Sequence, residues 1–386
     1  MNSREAAYLA VMASVKENQY ASDFLDFWKN KGSPSLKDDH LAREIAFGTI
    51  QRKLSLDYLA AQLTPQKKLN LKTKELVLLR TALYQYYFMD RIPTYALTNE
   101  TLQIAKKYCH RTFTAFLNAV LRQLESTKLN LPVDSLSTYY SYPSYFVNQL
   151  VNDYGVVKAR TILDAGNKPA PVMARRRSTL YEVELCKVSE AAYSSEYYIQ
   201  NRTPVELIKE LSTSVIKPQS ILDLCASPGG KTILIHDIFP DAKLFANDVS
   251  EEKLKRIRDN LQKYTIEAEL SCGLGETYPR NRQFDLVIVD APCSNTGVLN
   301  KRAEARWRLS AENMKALEEI QLRLIENASH LGNLVWYMTC SILKEENERV
   351  VQKACQLFGL DKLEERTILP DENGSDGGYA CAVRKR

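Results

Sequence analysis

No stretch of this 386-residue chain is apolar for the roughly 18 residues that a membrane-crossing helix needs, so no membrane partner is expected. The first twenty residues, Met1 to Tyr20, are amphipathic and carry Glu5 and Glu17, which is not the layout of a secretory signal; a cytoplasmic location is expected. The eight cysteines (Cys109, Cys186, Cys225, Cys272, Cys293, Cys340, Cys355 and Cys381) form no CxxC pair. Their wide spacing argues against a zinc ribbon and against a disulfide framework, so no metal is expected and any special cysteine must be found through its neighbours. A Walker loop, the GxGxxG dinucleotide pattern, internal repeats and low-complexity tracts are all missing.

What is there reads as an ordinary globular chain, with 45% hydrophobic and 26% charged residues and a length suited to two or three domains. The net charge of +5 is mild but unevenly spread. Residues 1–130 carry 19 Lys/Arg against 12 Asp/Glu, whereas the remaining 256 carry 33 against 35. A basic part joined to a near-neutral part suits a polyanion held by one and worked on by the other. A surplus of solvated lysines accounts for the charge equally well.

Residues 1–128 predict an all-helical bundle. Phe113, Phe116, Leu117, Val120, Leu121 and Leu124 fall on one helical face. Leu76, Val77, Leu79, Leu83, Tyr84 and Tyr87 repeat the pattern, and Ile45, Ile50, Leu54, Tyr58 and Leu59 suggest another helix. Pro93, in Arg91-Ile92-Pro93, separates two of them. Residues 129–204, punctuated by Pro132, Pro143, Pro169 and Pro171, predict a linker and a small α+β module.

From 205 to 386 strands and helices alternate, which predicts a sheet buried on both faces. Strands are expected at Ile221–Cys225, Lys243–Asp248, Phe284–Asp290 and Asn333–Thr339, and helices from about 231, over Glu251–Tyr264 and over about 311–328. Ligands in such sheets bind beyond the carboxyl ends of the strands, so polar or reactive residues there are the candidates.

Four pieces qualify. Cys225-Ala226-Ser227-Pro228-Gly229-Gly230-Lys231-Thr232 is a strand-to-helix turn whose glycines let a ligand approach the backbone, or else a structural turn. Asp248 closes the next strand and either binds ribose hydroxyls or caps a helix, a role for which Ser250 competes. Asp290-Ala291-Pro292-Cys293-Ser294 follows the most apolar strand, and Thr339-Cys340-Ser341 ends another. One strand-end cysteine is weak evidence, since buried cysteines are common; two that can face one crevice, with an aspartate in the same turn, are stronger. A helix is expected to begin at Glu345 to Glu348, adding its dipole to whatever favours a thiolate at Cys340.

These motifs resemble the Sun/NSUN family of RNA cytosine-5 methyltransferases. Leu224 to Thr232 is similar to its cofactor loop, Asp290 to Gly297 to its Pro-Cys motif, and Thr339-Cys340-Ser341 with Glu345-Glu346-Asn347 to its Thr-Cys motif. Arg43 to Gly48, Tyr84-Gln85-Tyr86, Arg91-Ile92-Pro93, Asn99-Glu100 and Phe116 to Arg122 resemble the NusB-like RNA-binding domain of the bacterial RsmB (Sun) branch, which modifies small-subunit ribosomal RNA. The resemblance implies a Rossmann-like methyltransferase domain with a mostly parallel sheet, preceded by an all-α NusB-like bundle and the small α+β module, acting as a monomer on RNA with S-adenosyl-L-methionine.

It further implies that Cys340 adds to C6 of the cytosine, so that C5 becomes nucleophilic enough to take a methyl group. Cys293 would assist product release, Asp290 would contact the ring at N3 and Lys231 would line the site. The backbone of Cys225, Ala226, Ser227, Pro228, Gly229 and Gly230 would hold the methionine part of the cofactor, Asp248 the ribose, and Asp290 would border both. Asn118 and Arg122 would touch RNA, although both equally suit the solvent face of a helix. Several positions depart from the family pattern: Leu274 stands where an adenine-binding Asp is usual, Arg302-Ala303-Glu304 replaces His-Pro-Asp, Asn201 replaces Asp, Gly378-Tyr379 replaces Phe-Phe and Arg177 replaces Asn. Leu274 leaves room for a rival, an RNA-binding protein of the same fold without turnover. A methyltransferase acting on a small molecule would not explain the basic helical part or the paired cysteines.

Overall fold

The computed structural model describes residues 1–16, 19–64, 69–90, 92–213 and 217–386; Glu17 and Arg91, singled out above, lie outside them. The chain forms two compact units, Met1–Leu163 and Asp164–Arg386.

The first unit holds α1 (Ser3–Lys16), α2 (Ala21–Gly32), α3 (Leu36–Gln51), α4 (Lys53–Gln62), α5 (Thr73–Phe88), α6 (Thr94–Tyr108), α7 (Arg111–Gln123), α8 (Leu136–Tyr140) and most of α9 (Ser144–Ala165). Helix α7 buries Phe113, Leu117, Val120 and Leu121, the face expected from their spacing, and His110 caps it by accepting from the Thr112 N–H. The helix expected around residues 45–59 is two helices: Arg52, at φ −93° and ψ 17°, breaks the chain between α3 and α4. Helix α3 meets α5 at Gly48, where an added Cβ would lie 1.9 Å from the Tyr84 ring, so the two backbones approach only because the side chain is missing. Each wholly buried Leu of this core, such as Leu56 or Leu117, contributes about 1.5–3 kcal/mol.

The bundle does not stop at residue 128. The Leu54 N–H donates to Ser141 Oγ at 2.9 Å and Ser55 Oγ donates to the Thr138 carbonyl at 2.7 Å, which docks α8 on α4. Tyr142 OH donates to the Leu163 carbonyl. The helical half of the stretch 129–204 therefore belongs with the first unit, and the structure draws the boundary at Leu163/Asp164 instead.

The second unit opens with an antiparallel sheet of order β2-β1-β3, made of β1 (Met173–Arg176), β2 (Val183–Leu185) and β3 (Tyr197–Ile199), with α10 (Val188–Ala192) between the last two. Then come α11 (Arg202–Ser212), β4 (Ser220–Asp223), α12 (Gly230–Ile238), β5 (Lys243–Asp248), α13 (Glu251–Lys263), β6 (Glu269–Cys272), β7 (Leu286–Asp290), α14 (Ala311–Leu331), β8 (Leu334–Thr339), α15 (Glu348–Phe358), β9 (Leu360–Ile368) and β10 (Gly378–Lys385). The seven-stranded sheet has the order β6-β5-β4-β7-β8-β10-β9, parallel except for β10, which runs against both neighbours.

Both faces of that sheet are covered, which is why its strands read as apolar runs. Ile221, Ile288, Trp336 and Met338 pack with Val205, Ile233 and Leu254 on one side. Leu222, Val287, Val335 and Tyr337 pack with Leu324, Ile325 and Val350 on the other. The first strand, β4, lies between β5 and β7, so the chain changes direction across the sheet there and leaves a crevice at the carboxyl ends. No helix among the described residues is long and apolar enough to cross a membrane.

Candidate active site

The crevice is floored by the turn from β4 to α12. Gly229 sits at φ +101°, a left-handed conformation that side chains disfavour, and Gly230 packs so closely that a Cβ would lie 2.9 Å from the Tyr198 ring. Asn260 holds the turn by donating to the Pro228 carbonyl at 2.8 Å, and Gln200 by donating to the Gly230 carbonyl at 3.3 Å. Thr232 Oγ1 donates to Asp223 Oδ2 at 2.6 Å. Asp223 Oδ1 is buried without a hydrogen-bond partner. Burial foremost, and the negative charges of Asp290 and Asp248, push the Asp223 carboxyl up to about 7.

Asp248 follows at the end of β5. Ser250 caps α13 by accepting from the Lys253 N–H, so Asp248 is not the cap. Its carboxylate instead accepts from the Ser227 N–H at 2.9 Å, which ties it to the glycine turn, and from the Val249 N–H at 2.7 Å; Lys253 Nζ stands 3.0 Å away. Asn247 donates to the carbonyls of Leu224 and Gly273 at 3.1 and 3.0 Å, joining the ends of β4 and β6. Leu274, next in line, is 52% exposed. Burial, and then Asp223, Asp290, Asp248 and Glu276, raise the Cys225 thiol, so negative charge converges on this turn.

Beside it, Lys231 Nζ and Asp290 Oδ2 are 2.5 Å apart. Burial works against the Lys231 charge, but Asp290, Cys340 and Asp223 outweigh it, and its pKa lies above the ordinary lysine value. Strands β7 and β8 are neighbours, with Asp290 opposite Met338, so the turns that leave them run side by side. Cys293 Sγ and Cys340 Sγ meet at 3.2 Å, and Asn295 Oδ1 lies 3.3 Å from Cys340 Sγ. The contact with Cys340, burial, and the charge of Glu346 hold the Cys293 thiol well above its usual pKa.

The residues singled out from sequence thus gather at adjoining strand ends. One expectation needs correcting. The helix after Cys340 begins only at Glu348, with Asn347 as its first flanking residue, so Glu345 and Glu346 lie in a turn and no helix start adjoins the thiol. Glu346 is buried there and accepts from the Ser294 N–H, Ser294 Oγ, Ser341 Oγ and Gln321 Nε2. Sequence reasoning gave Glu346, Asn295 and Gln321 no role. The acidic residue inside a serine- and cysteine-flanked turn was the available signal, but its partners lie up to 52 positions away.

The departures from the family pattern find partners. Asn201 caps α11 as an Asp would, accepting from the Thr203 N–H, and also donates to the Gly374 carbonyl, which an Asp cannot. Arg177 pairs with Asp237 at 2.6 Å and lies over the Tyr264 ring. In the first unit, Asn118 is half-buried in a surface depression with Lys106 and Arg111, and Arg122 is exposed.

Strand order, helix layers and a glycine turn after the central strand define the second unit as a Rossmann-like methyltransferase domain. Residues 214–383 match the family model described as 16S rRNA methyltransferase RsmB/F, and residues 1–126 match the NusB family. The ribosomal RNA small subunit methyltransferase B of Serratia proteamaculans (strain 568) is 29% identical over 427 residues, covering 100% of this chain and 99% of that one. Its counterpart from Vibrio cholerae is 29% identical, with 100% and 98% covered. The crystal structure of PH0851 shares the fold, with a TM-score of 0.76 at 18% identity over 100% of this chain and 99% of that one. Residues 214–383 thus carry a domain of the RsmB/F methyltransferase family, behind a NusB-family domain over residues 1–126.

Proposed function

We propose that the chain methylates carbon 5 of a cytosine in RNA, with S-adenosylmethionine as donor and small-subunit ribosomal RNA as substrate, through a transient bond from Cys340 Sγ to C6. The observation that carries this reading is the sulfur pair of Cys293 and Cys340, 3.2 Å apart beside the Asp290–Lys231 pair. The relatives named ribosomal RNA small subunit methyltransferase B and the basic N-terminal third support the substrate. Small-subunit RNA as substrate makes the cytoplasm the place of action.

The residues present fit the donor. Carboxylates of Asp248, Asp290 and Glu276 concentrate negative charge around Cys225, where a sulfonium cation would be stabilised. The Cys225–Gly230 backbone would hold its methionine part and Asp248 its ribose. When bound, the donor supplies an electrophilic methyl group.

The side chains do the rest. Lys231, kept cationic, acts electrostatically on Cys340. The Cys340 sulfur adds to C6 and pushes an electron pair onto C5, while Asp290 contacts N3. Once C5 has taken the methyl group, Cys293 helps remove the C5 proton. That electron pair returns to the ring and expels Cys340, breaking the S–C6 bond.

The test is incubation with small-subunit ribosomal RNA and methyl-labelled S-adenosylmethionine, then mass spectrometry of the digested nucleosides. Labelled 5-methylcytidine is expected, and bisulfite mapping then names the position. Cofactor binding without labelled 5-methylcytidine would leave an RNA-binding protein of the same fold.

A further inference from the structure

We propose that Glu346 is a positioning residue that clamps the two cysteine-bearing turns together and sets the distance between their sulfurs, a role that rests on the reading above. One buried carboxylate binds the residue immediately after each cysteine: Ser294 follows Cys293, and Ser341 follows Cys340. The grip on the first turn is threefold. Glu346 Oε1 accepts from the Ser294 N–H at 2.8 Å, Oε2 accepts from Ser294 Oγ, and Gln321 Nε2 bridges Oε1 at 3.3 Å to the Pro292 carbonyl at 2.9 Å. Cys293 is therefore held from both sides. On the second turn, Thr296 Oγ1 contacts Ser341 Oγ at 2.8 Å and accepts from the Ile342 N–H at 3.1 Å.

Glu346 is itself fixed. Tyr337 OH donates to its carbonyl at 2.7 Å, and its neighbour Asn347 accepts from Thr339 Oγ1 at 2.6 Å and donates to the Ser341 carbonyl at 3.0 Å. Four donors converge on the two oxygens of this one buried side chain. At 1% exposure its burial is costly unless those hydrogen bonds are made, which ties its position to both turns. What it joins here is the pair of turns that carry the chemistry, and reacting groups misplaced by about 1 Å lose about a hundredfold in rate.

The test uses the full chain and two readouts. Dibromobimane becomes fluorescent only when neighbouring thiols displace both of its arms, and peptide mapping then quantifies the 293–340 bridge independently of methyl transfer. Single-turnover transfer of labelled methyl to small-subunit ribosomal RNA is the second. Glu346→Ala is expected to lower both the bridge yield and the rate by at least about tenfold, while the Kd for S-adenosylmethionine stays within about twofold. Glu346→Gln, which keeps the shape and one acceptor, falls between. Unchanged bridging and rate in Glu346→Ala would overturn the proposal. Should that variant not fold by circular dichroism, the double variant Ser294→Ala, Ser341→Ala removes the two hydroxyl donors instead and must show the same losses; if it does not, the proposal fails. A wild-type protein that makes no 5-methylcytidine, with bridging still lost in Glu346→Ala, would sink the functional reading and leave the clamp standing.

Discussion

The sulfurs of Cys293 and Cys340 stand 3.2 Å apart although 47 positions separate them, and each comes from the turn beyond one of two neighbouring parallel strands. In the proposed reaction both thiols would meet one face of the cytosine, but they are not equivalent. Lys231 acts electrostatically on Cys340, whereas Cys293 is pushed up by its partner sulfur, by burial and by Glu346. Cys340→Ala is expected to lower methyl transfer by at least about a thousandfold, roughly 4 kcal/mol of barrier, with cofactor affinity unchanged by calorimetry. Cys293→Ala is expected to form the bond to C6 but not release it, giving a protein–RNA band on denaturing gels. If the band arises with Cys340→Ala instead, the two roles are reversed.

Leu274 stands just beyond the end of β6 with a side chain that cannot accept a hydrogen bond. It follows Gly273, whose carbonyl Asn247 holds at 3.0 Å, and its side chain is half exposed. By the resemblance, the adenine of the proposed donor would lie beyond this strand end. Leu274→Asp would supply a charged hydrogen-bond acceptor at little cost to packing. Such a bond is worth about 1.5–3 kcal/mol, so the Kd for S-adenosylmethionine should fall by at least about tenfold. Calorimetry showing an unchanged Kd would mean that the adenine is not held from residue 274.

How much of this was legible beforehand depended on whether the controlling contacts are local. Lys243–Asp248 reads as a strand and is one, because its apolar run is bounded by a charged start and a capping serine. The pairing of Asp290 with Thr339 turns follows from parallel strands alone, so the cysteines could be matched without coordinates. Glu346 could not be placed, because acidic residues before an apolar helical pattern look like a first helical turn, and only burial against Ser294 and Ser341 reveals otherwise. The packing of the stretch after 128 was hidden for a similar reason. Proline-rich punctuation suggests a linker, but the bonds from Leu54 and Ser55 to residues more than 80 positions later fold that stretch back onto the bundle.

Asp223 predicts a pH dependence whose sign can be worked out. Its carboxyl is wholly enclosed, one oxygen has no partner, and burial raises it from 3.8 to about 7 in the folded chain. Between those values the folded state keeps a proton that the unfolded chain has released. Stability from this group is therefore greatest at low pH, falls as pH rises through about 7, and is level above that. Asp223→Asn cannot ionise and still accepts from Thr232. Its advantage over the wild type should grow by about 2 kcal/mol between pH 5 and pH 8, or several degrees in thermal midpoint for a unit of this size. Differential scanning fluorimetry at the two pH values reads it directly. A midpoint difference that is the same at both would mean that Asp223 is already ionised in its enclosed site, with its charge balanced by Lys231.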